Sequence, residues 1–218
     1  MNPYTRPADA WRQRLQAALA EPLTRREAAP GETRGSGHHD HAARRAGVLI
    51  AIVGAPEPYI YFTQRSNALR HHPGQISFPG GSVETFDDSV QAAALREAHE
   101  EIGLDPAFVE VLGELPEYRT VTGFVISPFV GWVDPAATVA PDAVEVERLF
   151  GVPLAYALDH QHFRSEPMER GGRTYQVYSI DYDANHIWGA TAGILYGLLQ
   201  RLGHVEQRDI ARPGCISR

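Results

Sequence analysis

Apolar residues recur along this chain in two rhythms, and the two rhythms divide it into elements. Between Asp9 and Glu21, Trp11, Leu15, Ala18 and Leu19 return at helical intervals, which predicts a helix in an N-terminal segment, residues 1–21. Residues 22–45 are rich in Arg, Gly, Glu and His and poor in apolar residues, the composition of a polar linker. Ala46 to Val53 is a continuous apolar run closed by Gly54 and Pro56, as in a buried strand, and Tyr59 to Thr63 follows as its hairpin partner. Gln75 to Phe78 predicts a short strand ending in Pro79-Gly80-Gly81. Ser89 to Ile102 predicts a helix, with Asp87 or Asp88 as its cap and Gly103 as its stop. Val109–Leu115, Phe124–Val133 and Thr174–Tyr182 read as strands. Val144–Phe150 and Leu154–Leu158 read as short helical pieces, and Ala190–Leu202 as a final amphipathic helix. Strands and helices mix without strict alternation. That predicts an α/β domain over residues 46–204, with a mixed sheet flanked by helices, not a doubly wound parallel one, and a tail over 205–218.

Composition narrows the partners. A chain of 218 residues, 43% hydrophobic and 22% charged, suits one domain with terminal additions. Its formal charge of −7 argues against a nucleic-acid-binding surface. An anionic substrate would need local help from a metal or from arginines. Cys215 is the only cysteine, so no intrachain disulfide and no cysteine-based zinc site can form, which fits a reducing compartment. The run from Ala46 to Val53 is too short to span a bilayer, and Met1 to Ala10 lacks the apolar stretch of a signal peptide. The expectation is a cytoplasmic protein with no membrane partner, and a homodimer is compatible with the sequence. His38, His39 and His41 could bind a metal, but nothing nearby completes a site, and a solvated polar loop explains them better.

The chemistry concentrates in Arg96-Glu97-Ala98-His99-Glu100-Glu101-Ile102-Gly103-Leu104. On a helix Glu97 and Glu101 lie one turn apart on one face, with Glu100 beside it, while Ala94, Ala98 and Ile102 form a separate apolar stripe able to pack on a sheet. Crowded like charges destabilise a helix by a few tenths of a kcal/mol per pair, about the scale seen in model helices. A divalent cation would convert that repulsion into binding, and oxygen ligands of this kind suit Mg²⁺ or Mn²⁺. Arg96 can bridge to Glu100 one turn later. A solvated charged face accounts for the same residues when they are taken alone. Immediately upstream, Phe78-Pro79-Gly80-Gly81 lets the backbone approach a ligand or metal closely, although a plain turn would also use two glycines.

Together these residues resemble the Nudix box, written Gly, five residues, Glu, seven residues, Arg-Glu-U-x-Glu-Glu-x-Gly-U, with U apolar. The second half is complete in Arg96, Glu97, Ala98, Glu100, Glu101, Gly103 and Leu104. In the first half Gly81 stands one residue too far from Arg96, and Asp87 or Asp88 offers the acid. The stretch Phe62-Thr63-Gln64-Arg65-Ser66, then Arg70, Gly74 and Phe78-Pro79-Gly80-Gly81, is similar to the motif of Nudix coenzyme A pyrophosphatases. The box of that subfamily also carries one extra residue, with acids where Glu84 and Asp87 stand; only Tyr61-Phe62 departs from its usual apolar pair. Further similarity lies in Leu112-Gly113-Glu114-Leu115-Pro116, Thr122-Gly123-Phe124 and His186-Ile187-Trp188-Gly189-Ala190-Thr191-Ala192.

The resemblance implies an alpha/beta/alpha Nudix sandwich and metal-dependent hydrolysis of coenzyme A or its thioesters to 3′,5′-ADP and 4′-phosphopantetheine or its acyl form. It also implies metal ligation by Glu97 and Glu101, with Glu100 in or beside the shell and the backbone of Gly81 next to it. Arg96, Glu100 and Glu145 are the candidate catalytic residues. Glu145 reads on its own as a solvated acid, but Nudix enzymes often bring a late glutamate to the site. Arg65, Arg70, Gly80 and Phe78 are candidate substrate contacts, although taken alone either arginine reads better as a surface residue or as the ion-pair partner of an internal acid. Trp188 and Phe124 are expected in the core. Two other readings stay open: a Nudix hydrolase of another nucleoside diphosphate derivative such as ADP-ribose, and a non-catalytic Nudix-fold binding module.

Overall fold

The computed structural model describes residues 7–20, 44–68, 72–170 and 172–203. The expected linker through residue 43, the histidines at 38, 39 and 41, Arg70, Cys215 and the 205–218 tail lie outside the described residues.

Strict alternation along the first strand sorts the molecule into two cores. In β1 (Arg44–Val53), Ile50 and Ile52 point to one side, and Leu49, Ala51 and Val53 to the other. All five are buried, so this strand must be covered on both faces. It runs parallel to β7 (Phe124–Val133) and antiparallel to β2 (Tyr59–Arg65) and β4 (Gly80–Ser82). The rest of the sheet is β3 (Ile76–Ser77), β5 (Val109–Glu114), β6 (Tyr118–Arg119) and β8 (Val146–Pro153), with β3-β2-β1-β7-β5 as its longest path. One parallel pair among antiparallel ones makes it the mixed sheet expected.

One face is covered by α2 (Val90–Ile102). Its Ala94, Ala98 and Ile102 pack with Leu49, Ala51 and Val53, the apolar stripe read from the sequence. The other face is covered by α1 (Pro7–Ala20), α4 (Ala190–Arg201) and a second sheet of β9 (Phe163–Arg170), β10 (Arg173–Tyr182) and β11 (Asn185–Trp188). A short α3 (Leu154–Ala157) follows β8. Among the described residues no helix is long and apolar enough to cross a membrane.

Three sequence expectations are corrected, and one strand, β9, forms where none was expected. Val144–Phe150 does not form a helix: β8 starts at Val146 and pairs antiparallel with the whole of β2. A seven-residue apolar pattern is ambiguous between the two periods, and the free edge of β2 decides it. β9 has no apolar rhythm, because polar residues and Pro167 dominate its sequence; it forms because β10 offers it an edge. Helix α2 is capped by Ser89, not by Asp87 or Asp88: the Ser89 hydroxyl accepts from the Ala92 N–H at 3.0 Å, leaving Asp87 for another role. Replacing Ser89 by alanine should lower stability by about 1 kcal/mol, read as a shift in urea midpoint at unchanged slope. Trp188, expected in the core, is 44% exposed on the outer face of the second sheet, while Phe124 is half-buried beneath the Arg44 guanidinium, 4.1 Å from the ring centre.

Candidate active site

Two close backbone approaches place the carboxylate helix. Gly47 on β1 lies against the first turn of α2, where a Cβ would meet the Val90 carbonyl oxygen at 2.5 Å. Gly80, with φ of 152°, lies over β1 so tightly that a Cβ would sit 2.4 Å from the Gly47 carbonyl oxygen. Glycine at both positions brings strand β4 and helix α2 together at one end of the sheet. At its far end the helix closes on Gly103, with φ of 66°, whose N–H reaches back to the His99 carbonyl at 2.9 Å. The last free carbonyls of the helix, on Glu101 and Ile102, accept from the N–H groups of Asp142 (2.9 Å) and Ala140 (2.8 Å). Those bonds tie the 140–145 loop to the helix end. The Glu145 carbonyl then accepts from the Ser66 N–H at 2.8 Å, fixing the loop beside the end of β2.

Glu101 is the most confined of the acids, only 3% exposed. Its Oε2 accepts from the Gly80 N–H at 3.2 Å, and its Oε1 faces the Arg65 guanidinium at 3.5 Å. Burial raises its pKa to about 7, against the lowering effects of Gly80 and Arg65, and the nearby charges of Glu97 and Glu145 raise it further. Glu97 is half-buried and its pKa is raised as well, first by burial. Its carboxylate fills the space over Gly81, where a Cβ would come within 2.5 Å of it. Glu100 is exposed.

Arg96 organises the group. Its Nε and Nη2 fork onto both oxygens of Asp87 at 2.9 and 3.0 Å, its Nη2 reaches the Ser82 carbonyl at 3.2 Å, and its Nη1 is shared by Glu97 (2.9 Å) and Glu100 (2.8 Å). The Asp87 carboxyl is held below its usual range by Arg96 and by the Glu84 N–H. Asp87 therefore grips the arginine that aims two glutamates. The sequence offers it only as an acid at a box position; its distance of nine residues from Arg96 gives no helical reason to pair them.

Glu97, Glu100, Glu101, Arg96, Arg65, Gly80 and Gly81 thus converge on one end of the sheet, and the charge of Glu145 reaches the same place. Phe78 does not present its ring there. It is 2% exposed and packs 5.0 Å from the Phe62 ring, anchoring the glycine loop from the core side.

The NUDIX domain model matches residues 43–155, which contain every element of this site. Over 160 residues the chain is 43% identical to "Uncharacterized Nudix hydrolase NudL" of Escherichia coli O7:K1, covering 73% of this chain and 83% of that protein. The protein of that name from Shigella boydii serotype 18 matches at the same identity and coverage. Among solved structures, an Ap4A hydrolase of C. elegans is 18% identical, with a TM-score of 0.45 over 52% of this chain and 83% of its own. By its sequence match and its mixed sheet packed between helices, this chain belongs to the Nudix family.

Proposed function

We propose that the chain hydrolyses the diphosphate bond of coenzyme A or its thioesters, releasing 3′,5′-ADP and 4′-phosphopantetheine or its acyl form, with Mg²⁺ or Mn²⁺. Family membership already makes it a hydrolase of a nucleoside diphosphate derivative. The coenzyme A assignment rests on the run from Phe62 through Arg65, Arg70 and Gly74 to Gly81. The observation that carries the chemistry is the buried Glu101 carboxylate, set between the Gly80 N–H and Arg65 with Glu97 one turn away.

The residues fit a divalent cation. Among the described residues, no three His, Cys, Asp or Glu side chains stand together as a finished cation cage. The donors are nonetheless all oxygen, and the glycine at 81 lets the Glu97 carboxylate lie against the backbone where a side chain would displace it. Glu97 and Glu101 would hold the ion, with Glu100 and the Gly81 backbone beside it. When bound, such an ion neutralises diphosphate oxygens and makes its water more acidic. Arg96 fixes the carboxylates of Glu97 and Glu100 through Nη1, so little reorganisation is left for the reaction itself. Glu100, exposed beside the cluster, can take the proton of the attacking water at a carboxylate oxygen, and Glu145 is the alternative acceptor. Arg65 and Arg70 meet the anionic oxygens of the substrate.

Comparing kcat/KM for coenzyme A, ADP-ribose and NADH at fixed Mg²⁺ or Mn²⁺ tests the assignment. Coenzyme A should be the preferred substrate. Preferential cleavage of ADP-ribose would replace this reading with the broader one.

A further inference from the structure

Arg148 is exposed on β8, yet its guanidinium is engaged by three other side chains. Its Nε donates to Gln64 Oε1 at 3.2 Å and its Nη2 to the same oxygen at 3.0 Å. The Nη2 also donates to Asn185 Oδ1, and the guanidinium carbon lies 4.6 Å from the centre of the Phe150 ring. Asn185 is 5% exposed and is itself fixed by donating to the Tyr182 carbonyl at 3.0 Å. All these partners are neutral. Among the described residues Arg148 has no carboxylate partner, and its Nη1 has no hydrogen-bond partner. Arg12, Arg65, Arg96 and Arg164, by contrast, each face an acid. Ordering a surface arginine costs side-chain entropy. Here three elements, β2, β8 and β11, bear that cost and leave the charge uncompensated in a chain of net charge −7.

Its position ties it to the active site. Gln64, which holds Arg148, is the neighbour of Arg65, which faces Glu101. Strand β8 leads from the Glu145 loop to Arg148 within three residues, and the pairing of β2 with β8 shifts register between Gln64 and Arg65. The two arginines therefore stand at the same end of β2, on either side of its sheet. A substrate clamped at the glutamates and extended over that strand end would pass Arg148.

We propose that Arg148 is a specificity residue that receives a phosphate monoester remote from the bond being cut, with Gln64 and Asn185 as its positioning residues. This rests on the reading that the substrate is a nucleoside diphosphate derivative bearing such a group, as coenzyme A does. A guanidinium pre-oriented by neutral acceptors keeps both its full charge and a free N–H edge for the anion.

Coenzyme A and dephospho-coenzyme A differ only in that monoester, so steady-state kinetics of the full chain with Mg²⁺ on both, for wild type and Arg148→Gln, isolates it. The expected result is a rise in KM for coenzyme A of about tenfold or more, the usual weight of a charge-assisted hydrogen bond, with KM for dephospho-coenzyme A and both kcat values little changed. An equal rise on both substrates, or none, overturns the proposal. Should Arg148→Gln prove unstable on thermal melting, Arg148→Lys keeps the charge but not the fork, and the same substrate-selective rise is required of it. If the wild type cuts neither compound, the coenzyme A reading has failed. Arg148 is then tested by calorimetric binding of 3′,5′-ADP against 5′-AMP: a preference for 3′,5′-ADP that Arg148→Gln removes supports it, and no preference overturns it.

Discussion

Glu101→Gln should lower kcat by roughly three orders of magnitude while leaving the chain folded, because it removes several kcal/mol of charge stabilisation at the reaction centre. Glutamine matches glutamate in shape and keeps an oxygen for the Gly80 N–H, so the local packing survives. What it loses is the negative charge that would bind a cation. The same substitution should show an opposite sign in stability. Burial raises the Glu101 carboxyl to about 7 in the metal-free fold, from an ordinary glutamate value in the unfolded chain. A group raised in this way favours the fold fully below its unfolded pKa, and that contribution is lost as pH rises through about 7. The metal-free wild type should therefore lose up to ~3 kcal/mol from this one group between pH 4 and pH 8, and Glu101→Gln should not. In EDTA, the variant should melt higher than wild type at pH 8, with the gap closing towards pH 5. Near-normal turnover would refute the ligand role, and an equal gap at both pH values would refute the burial argument.

Gly47→Ala is expected to damage the fold severely. Its Cβ would meet the Val90 carbonyl oxygen at 2.5 Å and the Ala94 backbone nitrogen at 3.1 Å. These are backbone atoms of α2, so no side chain can swing aside, and helix and strand must separate. Overpacking of this kind costs about 1–3 kcal/mol, and the upper end is expected here. Because α2 carries Glu97, Glu100 and Glu101, kcat/KM should fall with stability, although Gly47 meets no substrate. Gly81→Ala offers the contrast: its Cβ would press on the Glu97 carboxylate, the movable end of a side chain. It should cost little stability and much activity. Urea unfolding and kinetics of both variants separate the two effects, and equal stability losses would contradict the packing account.

Much of this site was legible because its signals are local. Three glutamates at helical spacing, an apolar stripe at Ala94, Ala98 and Ile102, and a stop at Gly103 all lie within one element, and the helix forms where they place it. The Arg96–Glu100 bridge follows from the same spacing. What the sequence concealed depends on distant partners. The burial of Glu101 requires Gly80 and Arg65 to arrive from β4 and β2. Asp87 pairs with Arg96 because Ser89 does the capping in its place. β8 and β9 are strands only because β2 and β10 offer them edges, a fact absent from their own residues. The ring of Phe78, read as a substrate contact, turns into the core because Phe62 and the apolar face of β2 are there to receive it.

The most direct test of the account is product identification from coenzyme A incubated with the purified chain in Mg²⁺ or Mn²⁺, with a matched incubation in EDTA. The prediction is 3′,5′-ADP and 4′-phosphopantetheine in equal amounts with metal and neither with EDTA. Undiminished cleavage in EDTA, or cleavage at any bond other than the diphosphate, would contradict it.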